Sequence, residues 1–211
     1  MKFATIATHH ATSQPALVIE DRVHTLPFPD MYAVIAAGAT EAASKASKDS
    51  LSIDEVKFLS PLKPNTLRDG YAFEQHVLTA NKNRGRDVPQ EWYEFPVFYF
   101  TNPNAVFGHD DEIPYPHYTK AMDYELEVAI VIGKGGMNIK AEDAEQHIFG
   151  YTIFNDWSAR DVQRKEMAVG LGPAKGKDFA SAFGPVIVTH DTLADRAEGR
   201  PGVYDLVMMA R

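Results

Sequence analysis

Two carboxylates stand two positions apart at Glu125-Leu126-Glu127, inside an alternating run over 124–132. Alternate side chains of a strand share a face. The run therefore predicts a strand with Tyr124, Leu126, Val128, Ile130 and Ile132 on a face able to pack in a core, and Glu125, Glu127, Ala129 and Val131 on the other. Two acids side by side on a face that turns apolar two residues on repel each other, and burying either is costly unless it is paired. A hard divalent cation relieves both penalties. A solvated strand face, or ion pairs to Lys or Arg of a neighbouring strand, satisfies the same pattern without one.

A second group lies in Asn155-Asp156-Trp157-Ser158-Ala159-Arg160-Asp161-Val162-Gln163. It reads as a strand end followed by a helix over 158–167, with Ser158 and Asp161 spaced as a capping box and Arg160 and Gln163 on one helical face. An acid, a cation and an amide thus gather at one strand end; the plainer alternative is that Asp156 starts the helix and Arg160 pairs with it. Asp69, Tyr71 and His76 cluster at a turn-to-helix junction, although a lone His is more often structural. The segment 170–177 invites a phosphate-loop reading, which fails: three residues rather than four separate Gly172 from Gly176, and Asp178 stands where Ser or Thr is required. It reads better as a flexible loop that delivers a Lys into a site.

The elements that must position these groups are short. Residues 1–60 predict strands over 2–8, 16–19 and 24–26 and a helix or two over 30–46, a small N-terminal accessory lobe without a chemical constellation. Pro61 and Pro64 punctuate the boundary. Beyond it the pattern predicts a helix over 73–83, a strand over 94–100, a polar loop over 102–116, and a helix over 141–149 stopped by Gly150. Strands follow over 151–155, 184–189 and 203–209, the last placing Met208 and Met209 in strand core. Strands outnumber helices and no βαβ alternation recurs, so the fold class is α+β, mainly β.

The 211 residues carry a formal charge of −8, with 45% hydrophobic and 24% charged residues, ordinary globular usage. The acidic balance argues against nucleic acid as a partner. No apolar run approaches the ~20 residues that span a bilayer, and the N-terminal stretch is too short and polar for a secretory signal. There is no cysteine, hence no disulfide or zinc-thiolate site. These features suit a cytoplasmic protein.

Taken together, Glu125-Leu126-Glu127, His147-Ile148-Phe149-Gly150, Asn155-Asp156-Trp157-Ser158-Ala159-Arg160-Asp161 and Gly176-Lys177-Asp178-Phe179, in that order and preceded by Asp69, Tyr71 and His76, resemble the fumarylacetoacetate hydrolase family over roughly residues 60–190. The resemblance implies a mixed β-sandwich roll with short helices as the catalytic domain, 61–211, behind the small N-terminal lobe, 1–60. It implies a divalent cation, Mg²⁺ first and Mn²⁺ or Ca²⁺ next, held by Asp69, Glu125, Glu127 and Asp156. His76 matches the base that activates water. Lys177 matches the lysine that stabilises negative charge on the departing carbon fragment. Tyr71, Tyr99, Arg160 and Gln163 match positions that hold substrate or brace the site.

The implied reaction is metal-dependent hydrolysis of a C–C bond in an acylpyruvate or β-diketo acid, through an enolate stabilised by the metal and Lys177. Decarboxylation, hydration or isomerisation on the same platform is the alternative within the superfamily, and a catalytically incomplete metal-binding subunit the alternative outside it. Met167 stands where the founding hydrolase has a substrate-contacting Tyr, and Thr79 where acylpyruvase-like members carry a Glu partner for the His. Family members continue past the position of Arg211 with further strands, a Thr-Gly-containing segment and, in the founding hydrolase, a Glu that orients the base, so the domain is expected to be C-terminally truncated. A homodimer acting on a small diketo acid, with no nucleic-acid or membrane partner, completes what the resemblance implies.

Overall fold

The computed structural model describes residues 1–199 and 202–210. The chain opens with β1 (Lys2–Ala7), β2 (Gln14–Ile19) and β3 (Arg22–Thr25), then α1 (Met31–Ala37) and α2 (Ala39–Ser44), then β4 (Leu51–Ser52) and β5 (Lys57–Phe58). Asp30 caps α1, its carboxylate accepting from the Ala33 amide. There follow β6 (Leu67–Asp69), α3 (Glu74–Asn83), β7 (Tyr99–Thr101), β8 (Val106–Phe107), β9 (Met122–Asp123), β10 (Leu126–Ile132), β11 (Ile148–Asp156), β12 (Ser158–Ala159), α4 (Arg160–Val169), β13 (Ser181–Phe183) and β14 (Ile187–Thr189). One curled mixed sheet runs β4-β3-β2-β1-β14-β11-β13-β8, with β10 also on β11 and β5 also on β1; β6–β7 and β9–β12 form separate pairs. The β13–β8 pairing is parallel. Among the described residues no helix is long and apolar enough to cross a membrane.

The first sixty residues are joined to the rest through the sheet itself, Phe3 pairing with Ile187 and Lys2 with Val188. The helices α1 and α2 cover one side of β1, where Phe3, Leu17, Met31, Val34, Val131, Phe149 and Ile187 share a core. On the other side Ala4, Ile6, Ala16 and Val23 pack with Phe58 and Val186. That double coverage explains why β1 reads as an almost unbroken buried run.

Several sequence expectations are corrected. The strand expected over 124–132 begins only at Leu126, and its faces are reversed. Val131 is buried, whereas Val128, Ile130 and Ile132 are exposed, together with Ile153 on the neighbouring strand. The acid-bearing face is the one turned inward, because a site in the roll's interior must line its own mouth with polar groups. The expected helix over 141–149 is a 3₁₀ segment, Ala141–His147, and Gly150 lies inside β11 rather than after a helix. A Cβ at Gly150 would meet the Val188 carbonyl oxygen at 2.4 Å, so this glycine permits close strand packing.

The strand expected over 94–100 shrinks to β7, since Pro96 offers no ladder donor. The expected strand over 203–209 makes only an isolated bridge, Ala197 with Tyr204, and Met208 and Met209 are exposed. A strand needs a paired neighbour, and that segment has none among the described residues. The Ser158–Asp161 capping box does not form either. Ser158 belongs to β12 and its hydroxyl donates to the Asp156 carbonyl at 3.0 Å, while Asp161 accepts from Thr119 Oγ1 at 2.5 Å and the Lys120 amide at 3.1 Å.

Candidate metal centre

Three elements converge on the acids. In the β10–β11 ladder Glu127 pairs with Phe154, and the Asp156 amide donates to the Glu125 carbonyl at 3.1 Å, so Glu125, Glu127 and Asp156 lie on one inward face. The β6–β7 pair supplies the rest, setting Asp69 opposite Tyr99. One carboxylate oxygen from each of Asp69, Glu125, Glu127 and Asp156 lies within 4.8 Å of the others. Asp156 is fully buried and the other three are half-buried.

Neighbouring donors hold this arrangement. The Tyr99 hydroxyl lies 2.9 Å from Asp69 Oδ2 and 2.5 Å from Asp156 Oδ2. A phenol carries one proton, so the two carboxylates compete for it. Burial and both carboxylates push the phenol far above its ordinary range, keeping it a donor. Lys177, only 2% exposed, places Nζ 2.5 Å from Glu125 Oε2 and 2.6 Å from Asp156 Oδ2. Arg160 Nη1 donates to Glu125 Oε1 at 2.6 Å and to Gln163 Oε1 at 3.1 Å, and its Nε donates to Asp123 Oδ2 at 2.8 Å.

The electrostatics follow from burial set against these partners. Burial pushes the Glu125 carboxyl up, but Lys177 and Arg160 more than offset it and hold the group below its usual range. Asp156 rises to about 6, burial outweighing the pull of Lys177 and the Tyr99 hydrogen bond. Glu127 accepts no hydrogen bond among the described residues. Burial and the charges of Asp69, Asp156 and Glu125 push it to about 9.

The cluster fits a hard cation. Four carboxylates meet only two cationic side chains, one of them shared with Asp123, so with all four ionised, as cation ligands are, at least two negative charges stand uncompensated. Asp156 Oδ1 is buried without a partner. An all-oxygen donor set with an orphaned buried carboxylate oxygen is what a hard divalent ion takes.

The remaining sequence candidates are placed unequally. Tyr99 and Lys177 bond directly to the acids, and Arg160 with Gln163 braces Glu125 from behind. His76 and Tyr71 are outside this set of hydrogen bonds among the described residues. Their rings sit 6.2 Å from each other on and beside α3, both side chains are exposed, and neither makes a hydrogen bond to the acids among the described residues. Sequence reasoning missed Asp123, although it stands in step with Glu125 and Glu127 at every second residue; it fixes the Arg160 guanidinium from the other side.

Residues 65–208 match the family described as Fumarylacetoacetate (FAA) hydrolase C-terminal. The chain belongs to this family. Within it, an oxaloacetate tautomerase of Bacillus subtilis (strain 168) is 36% identical over 148 residues, covering 68% of this chain and 46% of that protein. A fumarylacetoacetase of Oryza sativa subsp. japonica is 40% identical over 161 residues, covering 67% of this chain and 37% of that protein. The chain therefore spans less than half the length of these two relatives. The solved structure of a fumarylacetoacetate hydrolase from psychrophilic Exiguobacterium antarcticum superposes with a TM-score of 0.68 at 27% identity, covering 90% of this chain and 67% of that one. The fumarylacetoacetate hydrolase fold is thus shared well beyond the metal centre, into the N-terminal strands.

Proposed function

We propose that the chain is a divalent-cation-dependent enzyme that hydrolyses a C–C bond in an acylpyruvate or similar β-diketo acid. The observation that carries this reading is the inward meeting of Asp69, Glu125, Glu127 and Asp156, with one buried oxygen left unpartnered. Those four residues would hold the cation, Mg²⁺ first and Mn²⁺ or Ca²⁺ next. When bound, it supplies Lewis-acid polarisation of the substrate's oxygens.

The chain's own residues do the rest. Tyr99 keeps Asp69 and Asp156 together, and Arg160 with Gln163 orients Glu125. The Lys177 ammonium offers a fixed positive charge at the buried end of the site, where negative charge collects as the C–C electron pair passes to the departing fragment. His76 takes a proton from water through a ring nitrogen, and the hydroxide adds to the carbonyl. The bond then breaks to a carboxylic acid and an enolate, which takes up a proton. His76 stands outside the acids' hydrogen bonds, so this role requires it to meet the water on the substrate's open side. The apolar outer row Val128, Ile130, Ile132 and Ile153 supports pairing with a second copy, which sedimentation would report.

The 36%-identical tautomerase favours a second reading, enol–keto interconversion of a small oxo acid on the same platform. A short acylpyruvate and oxaloacetate, followed by NMR with and without EDTA, separate the two. Two carbonyl fragments indicate hydrolysis, and an isomer alone indicates tautomerisation. Loss of turnover in EDTA with recovery in Mg²⁺ or Mn²⁺ is expected, and His76→Ala should keep Mn²⁺ binding while losing hydrolysis. Undiminished turnover in a fully chelated sample overturns the reading. Tight Mn²⁺ binding with no turnover of either substrate indicates a catalytically incomplete subunit.

A further inference from the structure

Lys177 stands at the end of a segment, residues 170–177, that lies outside any helix or strand. A local turn closes that end, the Lys177 and Asp178 amides donating to the Ala174 carbonyl at 2.9 and 2.8 Å, whereas the amides of 174–176 find their partner outside the segment. That partner is one side chain. Glu166 Oε2 accepts from the Ala174 amide at 3.2 Å and the Gly176 amide at 3.0 Å, and Oε1 accepts from the Lys175 amide at 2.5 Å. Three successive amides turned onto one carboxylate form an anion nest filled from within the chain, and bonds to an ionised acceptor are about twice as strong as neutral ones.

The opposite side of the segment is held too. The Gly176 carbonyl accepts from the Ala159 amide at 2.7 Å, three residues from Asp156, and the Tyr118 hydroxyl reaches the Lys175 carbonyl at 3.2 Å. Glycine is required for this approach. A Cβ on Gly176 would stand 2.9 Å from the Gln163 backbone nitrogen, and one on Gly172 the same distance from Glu166 Cβ. The segment that reads in the sequence as a flexible loop is therefore pinned to α4, and the pin stands one residue before Lys177.

We propose that Glu166 is the positioning residue for Lys177: by gripping the amides of 174–176 it fixes where the ammonium meets Glu125 and Asp156. Glu166 touches none of the acids. It acts through the backbone of 174–176, which carries Lys177. This rests on the acids being a cation site, and the test reads cation binding without substrate. In the metal-free chain both Glu125 oxygens are taken, Oε2 by Lys177 and Oε1 by Arg160, while Asp156 keeps Oδ1 free, so a cation that binds Glu125 competes with this ammonium. A well-placed ammonium competes better than a loose one.

Mn²⁺ titration of the purified chain and of Glu166→Ala, Lys177→Met and the double variant forms the cycle. Glu166→Ala should tighten Mn²⁺ binding by about tenfold, in the range found for residues of one network. In the Lys177→Met background the same change should do nothing beyond twofold. Glu166→Gln keeps the shape and one acceptor oxygen but turns an NH2 toward at least one of the amides, so it should tighten Mn²⁺ binding in the same direction by a smaller factor, even if the alanine variant folds poorly. Equal effects in both backgrounds would reveal a merely structural role and overturn the proposal. So would an unchanged Mn²⁺ affinity in Glu166→Ala and Glu166→Gln while the parent binds normally. Failure of the parent itself to bind Mn²⁺ overturns the cation reading, and this inference with it.

Discussion

Replacing Glu127 by Gln should make the metal-free protein more stable while spoiling its cation site. In the folded chain the carboxyl is pushed to about 9 from an ordinary 4.5. A group raised on folding contributes its full stability below the unfolded value and loses it as pH climbs toward the folded one. From 4.5 to about pH 7.5, at ~1.36 kcal/mol per pH unit, that sums to roughly 4 kcal/mol against folding. Protons are shared among neighbouring carboxylates, so we assign about half, ~2 kcal/mol, to Glu127 itself. For a chain of this size that is a rise of roughly 4–8 °C in Tm. Calorimetry in EDTA at about pH 7.5 should show the gain, and at about pH 5 it should shrink below ~1 kcal/mol. Titration with Mn²⁺ should show the opposite penalty, weakening on the order of 100-fold, because affinity follows the count of charged ligands. A variant that melts below the parent in EDTA, or whose gain is the same at both pH values, refutes the reasoning.

Tyr99→Phe removes the donor shared by Asp69 and Asp156. Asp156 should then titrate higher than its present value of about 6, and Mn²⁺ binding measured by calorimetry near neutral pH should weaken by about tenfold or more. Gly176→Ala drives a Cβ to 2.9 Å from the Gln163 backbone and should cost roughly 1–3 kcal/mol in urea unfolding, with turnover falling because Lys177 moves. Val131→Ala should cost roughly 2 kcal/mol in chemical denaturation of the metal-free chain, although the alternation of the segment sets Val131 on the face opposite the expected core.

Local chemistry was legible wherever it is written in residue type and short spacing. The pairing of Glu125 with Glu127 follows from the two-residue period of a strand, and the N-terminal hairpins and the helices α1, α3 and α4 follow from pattern and punctuation. Asp69, Asp156 and a lysine delivered by the 170–177 loop stand out from local pattern, but only the family resemblance joins them to Glu125 and Glu127, since nothing local says that positions so far apart share a focus. The inward direction of the acids was not legible either. Periodicity assigns residues to two faces but cannot say which face meets the interior, and here apolar content pointed the wrong way because the interior holds a charged site. The pinning of 174–176 by Glu166 left no trace in the sequence, because its partners are backbone amides and every residue type except proline supplies one. The residue types and their spacing thus determined what chemistry the chain can perform. Tertiary structure alone decided which charges share one buried point, because a Coulombic cost and its compensation depend on distance through space, and that distance is set by strand pairing between segments remote in the chain.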